Sequence, residues 1–161
     1  MGGDLALLGA AFAFGIGSAL MPVILNAEVY VVGMGTFVPE GLLAIAILSL
    51  GIGTVVGKAI VFELVRRGSS KVRQTVERKP PRNAFTATMR RIGDRLLKLL
   101  DRPYLGAATV LASSLTGVPP LAVVTILAGA SRQPRSLFLL MVFLGRTSQF
   151  LALAFLVHGV T

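Results

Sequence analysis

The sequence predicts an all-α integral membrane protein that folds as one membrane domain over residues 1–161. Two observations lead to this prediction. Hydrophobic residues make up 54% of the chain and charged residues only 14%, and the mean hydropathy is +0.79. A membrane-crossing helix needs about 20 consecutive apolar residues, and the chain has four apolar blocks of about this length or longer: 5–38, 42–65, 104–130 and 137–157. A water-soluble core would not need such blocks.

The first block, 5–38, is too long for one untilted membrane span and contains a helix-breaking residue. Pro22 removes a backbone donor and clashes with the preceding turn, and the polar residues Asn26 and Glu28 follow it. We therefore predict two helices that form a re-entrant hairpin, which enters and leaves the membrane by its outer face. The second block, 42–65, is then a transmembrane helix that runs from outside to inside.

The third block, 104–130, is interrupted by the stretch TGVPP, in which Gly117, Pro119 and Pro120 break a regular helix. Irregular backbone at membrane depth is tolerated only where protein or a watery cavity surrounds it. We predict a second re-entrant hairpin here, which starts and finishes inside. A transmembrane helix over 137–157 follows it.

Both halves of the chain thus have the same predicted order, a broken hairpin followed by one transmembrane helix. Because one hairpin dips from outside and the other from inside, the halves would be inverted repeats. Broken helices in corresponding halves are the usual sequence sign of a transport site. The alternative is two kinked helix pairs whose proline bends serve only packing.

The distribution of positive charge predicts the orientation in the membrane. The formal net charge is +9, yet all lysines and arginines except Lys58 and Arg146 lie in 66–103 and 131–136. If these two basic loops are cytoplasmic, the opposite face carries no Lys or Arg, as the positive-inside rule requires. The protein would then be a multi-pass protein of the cell membrane, and nucleic acid is not an expected partner.

The long basic loop, 66–103, begins with a polar linker and continues with a pattern typical of a helix. Over 84–100, apolar residues recur at helical spacing with basic residues opposite them. We predict a basic amphipathic helix that lies on the inner leaflet.

Among the charged residues inside the apolar blocks, three are candidates for a functional site: Glu28, Lys58 and Arg146. An ionisable group in hydrocarbon costs several kcal/mol and is usually kept for a partner or a task. We predict that these residues form a substrate-binding or transport site, with Asn26, Thr116 and Gln149 as neutral hydrogen-bonding candidates. The alternatives are a structural ion pair between Glu28 and Arg146, and a Lys58 whose side chain reaches up to the headgroups.

The stretch SLTGVPPLAVVTILAGASRQPRSLFLLMVFLGRTSQF resembles the DedA/VTT (SNARE-associated) superfamily, most closely its small YqaA-type branch. The shared features are a proline-containing tip, an Ala-Gly pair, a polar turn with a proline, and Gly-Arg in the last helix: Pro119, Pro120, Ala128, Gly129, 131–134, Gly145 and Arg146. Glu28 takes the place of the acidic residue after the first tip. The chain departs from the family in having no arginine between Leu115 and Val123, Ile52 at an expected polar position, and Gln149 where a second arginine is common.

The resemblance implies a membrane protein that moves a lipid or amphipathic substrate between leaflets, such as a polyprenyl phosphate or a phospholipid. We therefore expect a lipid translocase or scramblase-like transporter for an anionic lipid, with Arg146 and Lys58 attracting the head-group phosphate. The alternatives are a proton-coupled exporter of cationic amphiphiles, with Glu28 as the cation site, and a non-transporting membrane scaffold. The expected partners are membrane lipids, protons and a second copy of the chain in a homodimer.

Enzymatic chemistry is not expected. Asp4, Asp94 and Asp101 lie outside the apolar blocks, and the sole histidine, His158, lies at the end of one. With no cysteine and no metal-ligand spacing in the sequence, neither a metal nor another cofactor is predicted.

Overall fold

The computed structural model describes residues 2–22, 24–68, 71 and 84–160, and all regular structure in these ranges is α-helical. The prediction of an all-α protein is therefore confirmed for this part of the chain. Most of the polar linker that opens 66–103 lies outside it. The described helices are α1 (Gly2–Leu20), α2 (Ala27–Phe37), α3 (Glu40–Arg67), α4 (Ala84–Leu100), α5 (Pro103–Thr116), α6 (Leu121–Ala130) and α7 (Arg135–His158).

Three helices, α1, α3 and α7, are long and apolar enough to cross a membrane. The other apolar helices are shorter: α2 has 11 residues, α5 has 14 and α6 has 10. At 1.5 Å per residue, α2 and α6 reach only about 15 Å, roughly half of a hydrocarbon core. The 19-residue α1, at about 28 Å, is longer than a helix that turns back partway through a membrane has to be.

Local sequence explains where the helices begin and end. The Asn26 side chain accepts a hydrogen bond from the Glu28 backbone N–H at 2.9 Å and so caps the start of α2. Pro103 occupies the first turn of α5, where its missing N–H has no cost. Gly117 ends α5 in the left-handed conformation, with φ of 73°, which other residues adopt at a cost.

α1 runs parallel to α3 along most of its length. The Ser49 hydroxyl donates to the Leu8 carbonyl at 2.8 Å, and further along Lys58 Nζ donates to the Ala19 carbonyl at 3.1 Å. The two backbones approach closely at Gly53, where a Cβ atom would collide with the backbone of Phe12. Small residues allow this kind of packing between membrane helices.

α7 lies antiparallel to α3, and α5 runs parallel to α7. The Phe62 and Phe138 rings stack at 4.7 Å between α3 and α7. Gly145 of α7 packs against Ser114 of α5, so the end of α5 lies beside the middle of α7. The first helix of each predicted hairpin therefore packs on the long helix of its own half of the chain: α1 packs on α3, and α5 packs on α7.

The second helices of the predicted hairpins, α2 and α6, pack on the long helix of the other half of the chain. In α2, Gly35 packs against Ala154 of α7, and in α6, Gly129 packs against Phe62 of α3. A Cβ atom at either glycine would lie 2.8 Å from the carbonyl oxygen of that neighbour. Both α2 and α6 run parallel to the helix that they contact. Because each half of the chain packs one helix against the other half, the halves are interlocked.

The apolar interior consists of two buried clusters. One joins α1, α2, the first part of α3 and the last part of α7, and includes Val31, Leu43, Ile47, Leu50 and Phe150. The other joins the last part of α3, α4, α5, α6 and the first part of α7, and includes Phe62, Leu100, Val110, Val124 and Phe138. Because Leu100 is fully buried, the C-terminal end of α4 docks into the helix bundle.

Candidate functional site

The two interruptions of the helices meet at a central cavity of about 320 Å³. Pro22 and Asn26, between α1 and α2, line one side, and Gly117 and Pro120, between α5 and α6, line another. The charged residues of its lining are the three that the sequence singles out: Glu28, Lys58 and Arg146. Residues from five separate helices and both breaks thus converge on one space.

Arg146 lies near the middle of α7, and its side chain is 17% exposed. Its Nη1 donates to Glu28 Oε1 at 3.1 Å and to Gln149 Oε1 at 2.6 Å, and its Cζ lies 5.3 Å from the Phe150 ring centre. Its Nε atom is buried and has no hydrogen-bond partner among the described residues. Since an unpaired buried donor is costly, this atom has the capacity to bind a ligand or a water molecule.

Glu28 is positioned by the start of α2. Asn26 caps that helix, so Glu28 falls in the first turn, where the helix dipole favours a negative charge. The Glu28 side chain is 43% exposed, and its Oε1 also accepts a hydrogen bond from Gln149 Nε2 at 3.5 Å. Glu28, Arg146 and Gln149 therefore form one hydrogen-bonded group, of which Glu28 and Arg146 line the cavity and Gln149 does not.

Lys58 reaches the cavity from α3 and is only 4% exposed. Its Nζ donates to the Ala19 carbonyl in the last turn of α1, one of the carbonyls that a helix leaves without an internal partner. A positive charge is favourable at such a helix end. The buried side chain points into the bundle, which differs from the alternative of a lysine that reaches up to the headgroups.

The second break is held by hydrogen bonds within the turn. The Ser113 hydroxyl donates to the Pro119 carbonyl at 2.6 Å, and the Val118–Pro119 peptide bond is cis. The Thr116 hydroxyl bonds to the Ala112 and Val118 carbonyls at 2.8 and 3.1 Å. Thr116 is thus engaged in the turn and does not line the cavity, whereas Gly117 and Pro120 do.

Sequence reasoning did not single out Ser18 and Thr54, which also line the cavity. Each hydroxyl bonds to a carbonyl of its own helix, Ser18 to Gly15 at 3.0 Å and Thr54 to Leu50 at 3.0 Å. For Thr54, the sequence spacing could have indicated this position, because Thr54 lies one helical turn before Lys58 and therefore lies on the same face of α3.

The electrostatics of the cavity favour an anion. Two cationic side chains, Lys58 and Arg146, face one carboxylate, Glu28. The N-terminal ends of α2 and α6 also open on the cavity through Ala27 and Leu121, and helix N-termini carry partial positive charge. The described residues contain no group of three or more His, Cys, Asp or Glu side chains that could hold a metal ion.

Comparison with known proteins gives no match to a family model, a curated protein or a solved structure. The resemblance to the DedA/VTT superfamily therefore stays a prediction.

Proposed function

We propose that the chain is a small multi-pass membrane transporter, a lipid translocase or scramblase-like protein for an anionic lipid such as a polyprenyl phosphate or a phospholipid. The head group would cross through the central cavity while its acyl chains stay in the bilayer. The observation that carries the proposal is the position of Arg146, which lines a cavity that both helix breaks border. Its Nε atom is buried without a hydrogen-bond partner among the described residues.

The ion pair of Arg146 with Glu28 is the element that substrate binding would alter. A head-group phosphate is an oxyanion, and arginine binds such groups through two parallel N–H donors. As the phosphate engages Arg146, the Glu28 carboxylate would keep its contact with Gln149 and its place at the start of α2. Lys58 would supply the second positive charge from α3.

We further propose that the two halves are inverted repeats with re-entrant hairpins. The packing of α2 on α7 and of α6 on α3, each on the long helix of the other half, supports this. Matching contacts at the two ends of the bundle support it too. His158, at the end of α7, lies 3.0 Å from the Gly35 carbonyl of α2, and Arg66, at the end of α3, lies 3.4 Å from the Gly129 carbonyl of α6. The basic loops 66–103 and 131–136 would face the cytoplasm.

A leaflet-specific accessibility assay tests the proposal. Purified protein is reconstituted into vesicles that contain a fluorescent phosphatidylglycerol or phosphatidylcholine, and an impermeant reductant then bleaches the outer leaflet. Transport makes the inner-leaflet dye accessible, and we expect this to be faster for the anionic lipid. Arg146→Leu should slow it at least about tenfold, because a hydrogen bond to a charged group contributes about 1.5–3 kcal/mol. Arg132→Gln, which removes one exposed charge from a loop, is the matched control.

Two rival functions predict different results in the same vesicles. An exporter of cationic amphiphiles would move a cationic dye down a proton gradient and lose this activity in Glu28→Gln, without moving the anionic lipid. A membrane scaffold would move neither, and Arg146→Leu would have no effect on lipid accessibility. Either result would overturn the lipid-transport proposal.

A further inference from the structure

A second cavity, of about 630 Å³, opens between α3 and α7 at the end of the bundle where α3 finishes. It shares no lining residue with the central cavity. On α3, Thr54 and Lys58 face the central cavity, whereas Val56 and Ile60 line this second space. Two positions along a helix correspond to a rotation of about 200°, so the two cavities lie on opposite sides of α3. We call the second one the lateral groove.

The lateral groove has an apolar length and one charged end. Its apolar lining consists of Val55, Val56, Ala59, Ile60, Leu64 and Leu139, and its charged residues are Glu63, Arg67 and Arg135. From Val55 to Arg67 the helical rise amounts to about 18 Å. This length is close to the half-thickness of a hydrocarbon core, about 15 Å, so one acyl chain of a single leaflet would cover the apolar part.

The charged end of the groove carries an excess of one positive charge. Glu63 accepts from Arg67 Nε at 3.0 Å and lies 3.6 Å from Arg135 Nη1, so one carboxylate is shared by two guanidinium groups. The side chains of Arg67 and Arg135 remain 77% and 55% exposed. Because each guanidinium has five N–H donors and one carboxylate can accept only some of them, both arginines have donors available for an anion.

We infer that the lateral groove is a binding site for a phospholipid with a singly negative head group. The phosphate would bind Arg67 and Arg135, and one acyl chain would lie along the apolar stretch of α3. Basic pockets between transmembrane helices are known to bind anionic head groups in this way. A second copy of the chain fits less well, since a symmetric contact through this face would bring its arginines together. The site is independent of the proposed transport, because it uses none of the residues of the central cavity.

A single introduced tryptophan can report occupancy, since the chain contains none. The reporters are Leu139→Trp and, separately, the more exposed Leu64→Trp, both in the groove. Leu144→Trp, on α7 outside the groove, is the control reporter. Each variant is reconstituted into phosphatidylcholine vesicles that contain either brominated phosphatidylglycerol or brominated phosphatidylcholine, and quenching gives the relative affinity of the two lipids.

We expect both groove reporters to favour phosphatidylglycerol by about fivefold, because the groove carries one positive charge in excess and one basic charge contributes about 1 kcal/mol of attraction. The control reporter should show no preference. Combining Arg67→Gln with Arg135→Gln should abolish the preference, while Arg132→Gln should leave it unchanged. Circular dichroism checks that each variant is folded. Equal quenching by both lipids at the groove reporters, or a preference that survives the double substitution, would overturn the inference. Protection of these reporters from both quenchers would do so too, because it would mean that another copy of the chain covers the groove.

Discussion

The Arg146 guanidinium lies 3.1 Å from the Glu28 carboxylate, although 118 positions separate the two residues in the chain. This contact joins α2 to the middle of α7, beside the place where the two helix breaks meet. It also determines how much positive charge the central cavity presents to a ligand.

Glu28→Gln should destabilise the protein and increase the attraction of the cavity for anions. The amide preserves size and hydrogen bonding, but the positive charge of Arg146 loses its partner. Because Glu28 is partly exposed, we expect a loss of about 1–2 kcal/mol in the free energy of unfolding, below the range for a fully buried pair. Denaturation in detergent micelles, followed by circular dichroism, measures it. Glu40→Gln, which alters a more exposed contact with His158, should cost less than about 1 kcal/mol.

Lys58→Met should weaken the junction between α1 and α3 and slow the proposed lipid transport. The substitution keeps an apolar side chain of similar length but leaves the buried Ala19 carbonyl without its donor, at a cost of about 1–3 kcal/mol. The stability loss is read from micelle denaturation and the transport loss from the vesicle assay. Lys98→Met removes the same charge from the exposed face of α4 and should change neither; equal effects of the two substitutions would show that only net charge matters.

Arg66→Gln should loosen α6 specifically. The Arg66 guanidinium donates to the carbonyls of Ala128, Gly129, Ser131 and Gln133 at 2.7–3.5 Å and stacks on Phe62, so it satisfies the C-terminal end of that helix. We expect a loss of about 2–4 kcal/mol and faster hydrogen exchange in 121–130. The neighbouring residue offers a close control, because Arg67 is exposed and pairs only with Glu63 among the contacts described; Arg67→Gln should leave exchange in 121–130 unchanged.

Gly53→Ala should separate α1 from α3. The added methyl group would collide with the backbone of Phe12, and backbone cannot move aside as a side chain can. Overpacking of this kind costs about 1–3 kcal/mol, which outweighs the gain of about 0.5–1 kcal/mol from replacing a helical glycine. Gly33→Ala, in α2, meets no atom within 4 Å and should be neutral or slightly stabilising. A stable Gly53→Ala variant in micelles would contradict the close packing of the two helices.

The sequence predicted the helices well, because their signals are local. Apolar length determines which segments can cross a membrane, and α3 and α7 lie within one or two residues of the predicted spans 42–65 and 137–157. Proline and glycine likewise interrupt helices wherever they stand, so the breaks near Pro22 and at 117–120 follow from backbone chemistry. The length of α1 was less predictable, since nothing in its composition limits it to half a membrane.

The site depended on information that the sequence does not carry. In helices that are apolar on nearly every face, no polar stripe reveals which side faces the interior. The sequence therefore determined that Glu28, Lys58 and Arg146 lie within apolar segments, but not what they contact. Only the tertiary structure decided that Arg146 pairs with Glu28, that Lys58 caps α1, and that Thr116 does not line the cavity. The reason is that the rotation and the neighbours of a helix are set by packing between segments far apart in the chain.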